Sequence, residues 1–286
     1  MSSAAAGGAG LVSVLMPVYN EEATVGTVIR RVLALGSLIK EIIVVDDGSS
    51  DRTGEIVQSI ADRNPVVRYV RQPANRGKTA AIQRALQEAS GEIVIVQDAD
   101  LEYDPSEIPA VIEPILSGHA DVVYGSRFLV RRAARVLYFY HYLANSALTF
   151  LSNLLTNRNM TDIETCYKAF RAGVVKPLEL TSRGFGMEVE ITALVSHTRA
   201  RTYEVPISYY GRSYEEGKKI GYWDGVMAGL YILYYNLVAP YTPRGRRYIA
   251  AVNAYLEREL RSERKPEPPA RSFSPASPAS QDDGER

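Results

Sequence analysis

The first half of the chain alternates between two hydrophobic periodicities. Leu11–Met16 is a continuous apolar run that ends at Pro17. Residues 22–35 then space Val25, Val28, Ile29, Val32 and Leu33 along one helical face. Ile42–Val45 is a second apolar run, followed by helical spacing of Ile56, Val57 and Ile60 within residues 53–62. Val66–Val70 reads as a strand, residues 78–89 as a helix carrying Ile82, Ala85, Leu86 and Ala89, and Ile93–Val96 as a third buried run. Pro105 suits the first position of a helix with Val111, Ile112 and Ile115 on its inner face, and Val122–Tyr124 is another strand. Uninterrupted apolar runs predict strands covered on both faces. The order therefore predicts an α/β fold with a mostly parallel central sheet and helices on both faces. Ligands of such sheets sit at the carboxyl ends of the strands.

The second half is less regular. No residue from Val136 to Asn157 is charged, and Leu137, Tyr140, Ala144, Ala147, Leu148, Leu151, Leu154 and Leu155 recur at helical spacing. Arg131, Arg132 and Arg135 precede this segment. Basic residues beside an aromatic amphipathic helix (segment 134–157) suit an anionic membrane surface, and an ordinary core or dimer helix fits the pattern equally well. Residues 211–223 hold Arg212, Lys218 and Lys219 among glycines, as a loop closing over a diphosphate would, or as a solvated charged loop would. Val226–Val238 is apolar and rich in tyrosine but too short to span a bilayer.

This patterning predicts a flexible N-terminus (1–10), one catalytic-sized domain (11–240) and a C-terminal helical extension (241–261). A disordered tail (262–286) with five prolines among Ser and charged residues would follow. No apolar stretch reaches 18 residues and no signal peptide is visible, so the expected location is cytoplasmic, peripheral at the cytosolic membrane face.

Composition narrows the chemistry. The 286 residues include 33 Lys+Arg and 33 Asp+Glu, so zero net charge removes the electrostatic argument for nucleic-acid binding. A single cysteine, Cys166, excludes a disulfide framework and a cysteine zinc cluster, and three scattered histidines argue against a histidine metal site.

The predicted strand ends are unusually acidic. They carry Pro17-Val18-Tyr19-Asn20-Glu21-Glu22, Asp46-Asp47-Gly48-Ser49-Ser50-Asp51 and Asp98-Ala99-Asp100-Leu101-Glu102, with the cationic Gly125-Ser126-Arg127 at the fourth. Carboxylates crowded together repel, so a fold retains them where they gain a ligand. Asp98 and Asp100, two apart in an extended turn, can face one hard divalent cation, Mg²⁺ or Mn²⁺, shared with ligand phosphates. Taken alone the pair would more often be an Asx-turn or helix cap, and Glu102 with the other acidic strand ends tips the balance. Of Asp46 and Asp47, one is expected to be structural and the other to accept hydrogen bonds from a ribose or base. Gly77-Lys78-Thr79 ends like a P-loop, but Gln72 stands where that loop needs glycine, and no Gly-x-Gly-x-x-Gly opens the first helix. Lys78 is left open between a solvated first-turn lysine and a ligand contact.

Together these segments, with Thr161-Asp162-Ile163-Glu164-Thr165-Cys166-Tyr167-Lys168, resemble family 2 glycosyltransferases of the GT-A fold. Within that family the chain is most similar to the dolichyl/polyprenyl-phosphate mannose and glucose synthases, from about Leu11 to Tyr235. The resemblance implies an inverting, metal-dependent transfer of a hexose from GDP-mannose or UDP-glucose to a polyprenyl phosphate. It places Pro17, Tyr19, Glu21, Val44 and Asp46 at the base and ribose, with Asp47 beside them. Asp98, Ala99 and Asp100 fall at the metal and diphosphate, Glu102 at a further metal-side position often held by Gln, and Arg127 at the phosphates. Arg212 and Lys218 match the closing loop, and Asp162 and Glu164 lie on the acceptor side. Many members of the family end in transmembrane helices. Without them the resemblance implies either a membrane-anchoring partner subunit or contact through the amphipathic helix alone. An ionised lipid phosphate needs no general base, whereas a hydroxyl acceptor would need one, for which Asp162 or Glu164 would serve. A saccharide acceptor and a non-catalytic nucleotide-sugar binding role are the alternatives.

Overall fold

The structure is a computed structural model, and it describes residues 10–129, 138–182, 184, 186–211 and 222–263. Among the described residues seven strands form one sheet: β1 (Val12–Val18), β2 (Ile39–Asp46), β3 (Val67–Arg71), β4 (Ile93–Val96), β5 (Val122–Ser126), β6 (Lys168–Arg171) and β7 (Thr202–Pro206). Their order is β3-β2-β1-β4-β6-β5-β7. The pairs β3-β2, β2-β1, β1-β4 and β5-β7 are parallel, whereas β6 runs antiparallel to both β4 and β5. The expectation of a mostly parallel sheet holds, and β6 is its exception. Short and without a flanking helical period, β6 carries little local signal. It is separated from the end of β5 by 41 intervening residues (127–167) and enters between β4 and β5 from the opposite end.

Helices α1 (Val25–Leu33), α2 (Thr53–Ala61), α3 (Lys78–Glu88), α4 (Ile108–Leu116) and α5 (Phe139–Thr156) follow the predicted spacing. The segment beginning at Pro105 opens as a 3₁₀ turn, Pro105–Glu107, before α4. Asp104 caps it by accepting the Ser106 backbone N–H at 3.0 Å. The remaining helices are α6 (Ala172–Val175), α7 (Gly186–Ser196), α8 (Tyr222–Leu237) and α9 (Pro243–Glu263).

Burial explains the layering. Val12, Val14, Met16 and Val18 of β1 join the inner faces of α1, α2 and α4. Leu15, with Ile43, Val94 and Val96, joins α3, α7, α8 and α9 on the other side. Period-two side chains thus feed two cores across one sheet. All four residues of β4 are buried, as an uninterrupted Ile-Val-Ile-Val run requires.

The strand order reverses around β1, which lies between β2 and β4. There the loops leaving neighbouring strands diverge and open a crevice at their carboxyl ends. Asn20 (φ 53°) and Leu101 (φ 65°) take left-handed backbone in the loops after β1 and β4. For a leucine this conformation is strained, and such strain gathers where a fold over-determines a functional loop.

Candidate active site at the carboxyl ends of the strands

The loops after β1 and β2 clasp each other. The Asn20 N–H donates to Ser49 Oγ at 3.0 Å, and Asn20 Oδ1 accepts the Ser50 N–H at 2.9 Å. The Glu21 N–H donates to Thr53 Oγ1 at 2.8 Å, and the Glu21 carboxylate accepts the Thr24 hydroxyl at 2.8 Å. This leaves Tyr19 43% exposed at the rim, with Pro17 and buried Val44 behind it.

Asp46 and Asp47 stand at the end of β2 and the start of the loop after it. Both are buried and both carry structural donors. Asp46 accepts the Ser49 N–H and the Tyr69 hydroxyl, each at 2.8 Å. Asp47 accepts from Gln72 Nε2 (2.9 Å) and from the backbone N–H groups of Arg76 (2.8 Å) and Gly77 (2.7 Å). Asp47 therefore fixes the entry to α3, and Asp46 ties β2 to β3. The cause is the loop 72–77, which folds back over β2 and which a strand-by-strand reading cannot place. Tyr69→Phe removes the donor to Asp46 Oδ2 and is expected to cost about 1–2 kcal/mol in denaturant unfolding. An unchanged midpoint would show that the hydroxyl bond is dispensable.

Asp98 and Asp100 sit at the end of β4. The Asp98 carboxylate grips Lys78 Nζ with Oδ1 at 2.8 Å and Oδ2 at 2.9 Å. Lys78 is thus a half-buried member of an ion pair. Its ammonium also lies 3.0 Å from Cys166 Sγ and 3.6 Å from Glu188 Oε1. Burial opposes the charge, but the Asp98 and Glu188 carboxylates hold its pKa well above the ordinary lysine value. Burial, with Asp98 and Glu188 nearby, pushes the Cys166 thiol up, so the cysteine is a protonated packing group rather than a nucleophile. Asp100 Oδ1 accepts the Glu102 N–H at 3.1 Å, an Asx-turn.

Glu102, the third carboxylate expected on the metal side, is engaged by a tyrosine hydroxyl. Its carboxylate accepts the Tyr209 hydroxyl at 2.8 Å, and its backbone carbonyl accepts the Tyr210 N–H at 2.9 Å. Among the described residues no three His, Cys, Asp or Glu side chains converge as a metal cluster. The chain turns through left-handed Leu101 between Asp100 and Glu102. The donor set still fits a hard cation, because Mg²⁺ and Mn²⁺ are commonly held by one or two carboxylates with phosphates and waters supplying the rest.

Arg127 follows β5. Its Nε and Nη2 donate to the two Asp162 oxygens at 2.7 Å each, and its backbone N–H adds a third bond at 3.1 Å. The guanidinium stands over the Tyr209 ring at 5.1 Å from the centroid. Tyr209 therefore links Glu102 on one side to Arg127 on the other. Asp162 is fully buried and committed to this fork, which removes it as a free base. Glu204 accepts the backbone N–H groups of Thr161 (2.9 Å) and Asp162 (3.1 Å), and Lys168 Nζ donates to the Ile163 and Thr165 carbonyls. Glu188, Glu204 and Tyr209 escaped the sequence reading. Their one available signal was an acid or tyrosine inside an otherwise apolar stretch.

Glu164 is the carboxyl with an unpaired oxygen: Oε1 is buried without a hydrogen-bond partner among the described residues. Burial, reinforced by Glu188, raises its pKa from 4.5 to about 8. The folded protein then keeps a proton that the unfolded chain releases, so stability falls as pH rises from about 4.5 to about 8. Glu164→Gln is expected to flatten that slope in melting temperatures taken across pH 5 to 8.5. A slope identical to wild type would refute the assignment. Arg212 and Lys218, like Arg131, Arg132 and Arg135, lie outside the described residues.

Helix α5 connects this site to the surface. Asn145 of α5 lies 3.4 Å from both Arg127 Nη2 and Asp162 Oδ1. Phe128 meets Tyr142 edge to face at 5.3 Å. Beyond these contacts α5 exposes Phe139, Tyr140 (81%), Leu143, Phe150 and Leu154. Neighbouring α8 exposes Met227, Leu230, Leu233 and Leu237.

Residues 13–178, more than half of the chain, match glycosyl transferase family 2. The chain belongs to glycosyl transferase family 2. Its relatives within the family include a dolichol-phosphate mannosyltransferase of Pyrococcus furiosus, 34% identical over 213 residues. That alignment covers 73% of this chain and 59% of the relative. An undecaprenyl-phosphate 4-deoxy-4-formamido-L-arabinose transferase of Edwardsiella ictaluri is 34% identical over 219 residues, covering 72% and 62%. The chain thus spans about three-fifths of the length of these relatives. Glucosyl-3-phosphoglycerate synthase of Mycobacterium tuberculosis, solved with Mn²⁺, UDP-glucose and phosphoglyceric acid, superposes with a TM-score of 0.61 at 22% identity. That superposition covers 79% of each chain and establishes the GT-A fold of this family 2 member.

Proposed function

We propose that this family 2 chain transfers a hexose from a nucleoside diphosphate sugar to a polyprenyl phosphate, with inversion at the anomeric carbon. The observation that carries the reading is the contact of Asn145 with Arg127 and Asp162. It joins a buried phosphate-seeking cation to an exposed apolar face within one helix. A lipid phosphate has those two needs: a desolvated cation for its head and an apolar surface for its chain. The names of the two relatives, each a transferase for a polyprenyl-type phosphate, support the same acceptor class.

In this reading Pro17, Tyr19, Glu21 and the ends of β1 and β2 at Val44, Asp46 and Asp47 line the nucleoside. Asp98 and Asp100, with the Ala99 backbone between them, would hold Mg²⁺ or Mn²⁺, whose charge would offset that of the nucleoside diphosphate leaving group. Arg127 positions a phosphate with its Nη1 edge, which takes no part in the Asp162 fork. An acceptor phosphate is already ionised near pH 7, so the absence of a free carboxylate base at Asp162 is consistent with it.

No helix among the described residues is long and apolar enough to cross a membrane. The α5–α8 face serves as a membrane-surface contact, alone or with an anchoring subunit. The deciding experiment supplies GDP- and UDP-sugars with Mg²⁺ or Mn²⁺, with and without polyprenyl phosphate, and reads nucleoside diphosphate release. Release from one donor that requires the lipid phosphate supports the reading. Release that is indifferent to the lipid and needs a saccharide acceptor overturns it.

A further inference from the structure

The ammonium of Lys78 sits where a metal ion would need the Asp98 carboxylate. It bridges both Asp98 oxygens at 2.8 and 2.9 Å, at the mouth of α3, in a pocket shared with Cys166 and Glu188. A second carboxylate is already in place beside it. Glu188 Oε1 lies 3.6 Å from the same Nζ, with its side chain 5% exposed. It also lies 3.9 Å from the Cys166 thiol, a weak and uncharged donor, and within electrostatic reach of the buried Lys168 ammonium and the Glu164 carboxyl.

The Lys78 ammonium lies within 2.9 Å of both Asp98 oxygens, so a divalent ion at that carboxylate would compete with it for the same atoms and be repelled by it. A divalent ion arriving at Asp98 must therefore displace Lys78. The flexible four-carbon stem needs only a small swing to move the ammonium the remaining distance to Glu188. There it would add a direct ion pair to a buried carboxylate that shares its surroundings with Lys168 and Glu164.

We propose that Lys78 is an internal counter-cation that occupies Asp98 until the metal arrives with the nucleotide, and that Glu188 is the carboxylate to which it transfers. Lys78 is thus a positioning residue for Asp98. Metal alone binds weakly because it must expel an ammonium, and a nucleoside diphosphate supplies the extra ligands that make the exchange favourable. Metal and donor binding become coupled by a residue that contacts neither the base nor the sugar. The inference rests on the metal-dependent reading above.

The test measures Mn²⁺ binding to the full chain by loss of the free-ion paramagnetic resonance signal, without nucleotide and with UDP or GDP. Lys78→Met is expected to bind Mn²⁺ alone about tenfold more tightly than wild type, the size of a typical coupling between sites. Glu188→Gln, which removes the second berth, is expected to weaken Mn²⁺ binding in the presence of nucleotide. That loss should vanish in the Lys78→Met background, because Glu188 acts through Lys78. Thermal melts confirm that each variant is folded, and Glu188→Gln tests the exchange if Lys78→Met does not fold. Lys78→Met binding Mn²⁺ no more tightly than wild type would overturn the exchange while leaving the metal reading intact. An effect of Glu188→Gln that is equally large without Lys78 would do the same. Absence of Mn²⁺ binding by wild type and variants with either nucleotide would instead overturn the metal reading itself.

Discussion

Asp98→Asn is expected to cut nucleoside diphosphate release from the sugar donor by about a thousandfold, the range seen when a group that stabilises transition-state charge is removed. The substitution keeps the shape of the side chain and deletes one of the two negative charges offered to the cation. Stability should hardly change, because the Lys78 ammonium retains Glu188 at 3.6 Å and Cys166 at 3.0 Å. This pairing of large catalytic loss with small structural loss separates an active site from a structural ion pair. A scaffold that merely uses Asp98 to hold α3 would show the reverse. Release assays with Mg²⁺ or Mn²⁺ and a thermal melt decide it. Retention of more than about a tenth of wild-type turnover, a barrier change under about 1.4 kcal/mol, would sink the assignment.

Asp162→Ala is expected to lower the unfolding free energy by about 3–5 kcal/mol, the cost of leaving a buried ion without its partner. The Arg127 side chain is 16% exposed and that of Asp162 is 0% exposed, so solvent can replace little of the two-pronged pair. Asp162 also accepts the Arg127 backbone N–H, and its own N–H is held by Glu204, so the whole segment from Thr161 loosens with it. The double variant Arg127→Met with Asp162→Leu should regain most of the stability, since an apolar pair satisfies a buried site as well as an ionic one. It should not regain transfer, since no guanidinium is left for a phosphate. Urea unfolding of the three proteins, with release assays in parallel, measures both. A loss below about 1 kcal/mol for Asp162→Ala would mean the pair behaves as a solvent-exposed salt bridge.

Local pattern accounts for much of this protein. The strands β1 to β5 and helices α1 to α5 were legible because each apolar run or helical stripe reports its own burial without reference to distant residues. The acidic strand ends were legible for a related reason: a parallel sheet brings its carboxyl ends to one side, so residues far apart in sequence share a crevice. Partner choice was not legible. That Asp47 serves Arg76 and Gly77, that Glu102 serves Tyr209, and that Asp162 locks Arg127 depends on sequence separations of 29, 107 and 35 residues. A carboxylate's identity says that it must be paired. Which cation, hydroxyl or amide reaches it is settled by how the loops pack.

The same division holds for the fold as a whole. The sequence by itself determined the α/β class, the layering and the side of the sheet on which chemistry collects, because hydrophobic period and strand polarity are local properties. Tertiary structure alone decided the antiparallel entry of β6, the pairing of Glu102 with Tyr209, and the seating of Lys78 between Asp98 and Glu188. Those depend on long-range closure, in which desolvation and pairing energies are settled only once distant segments meet.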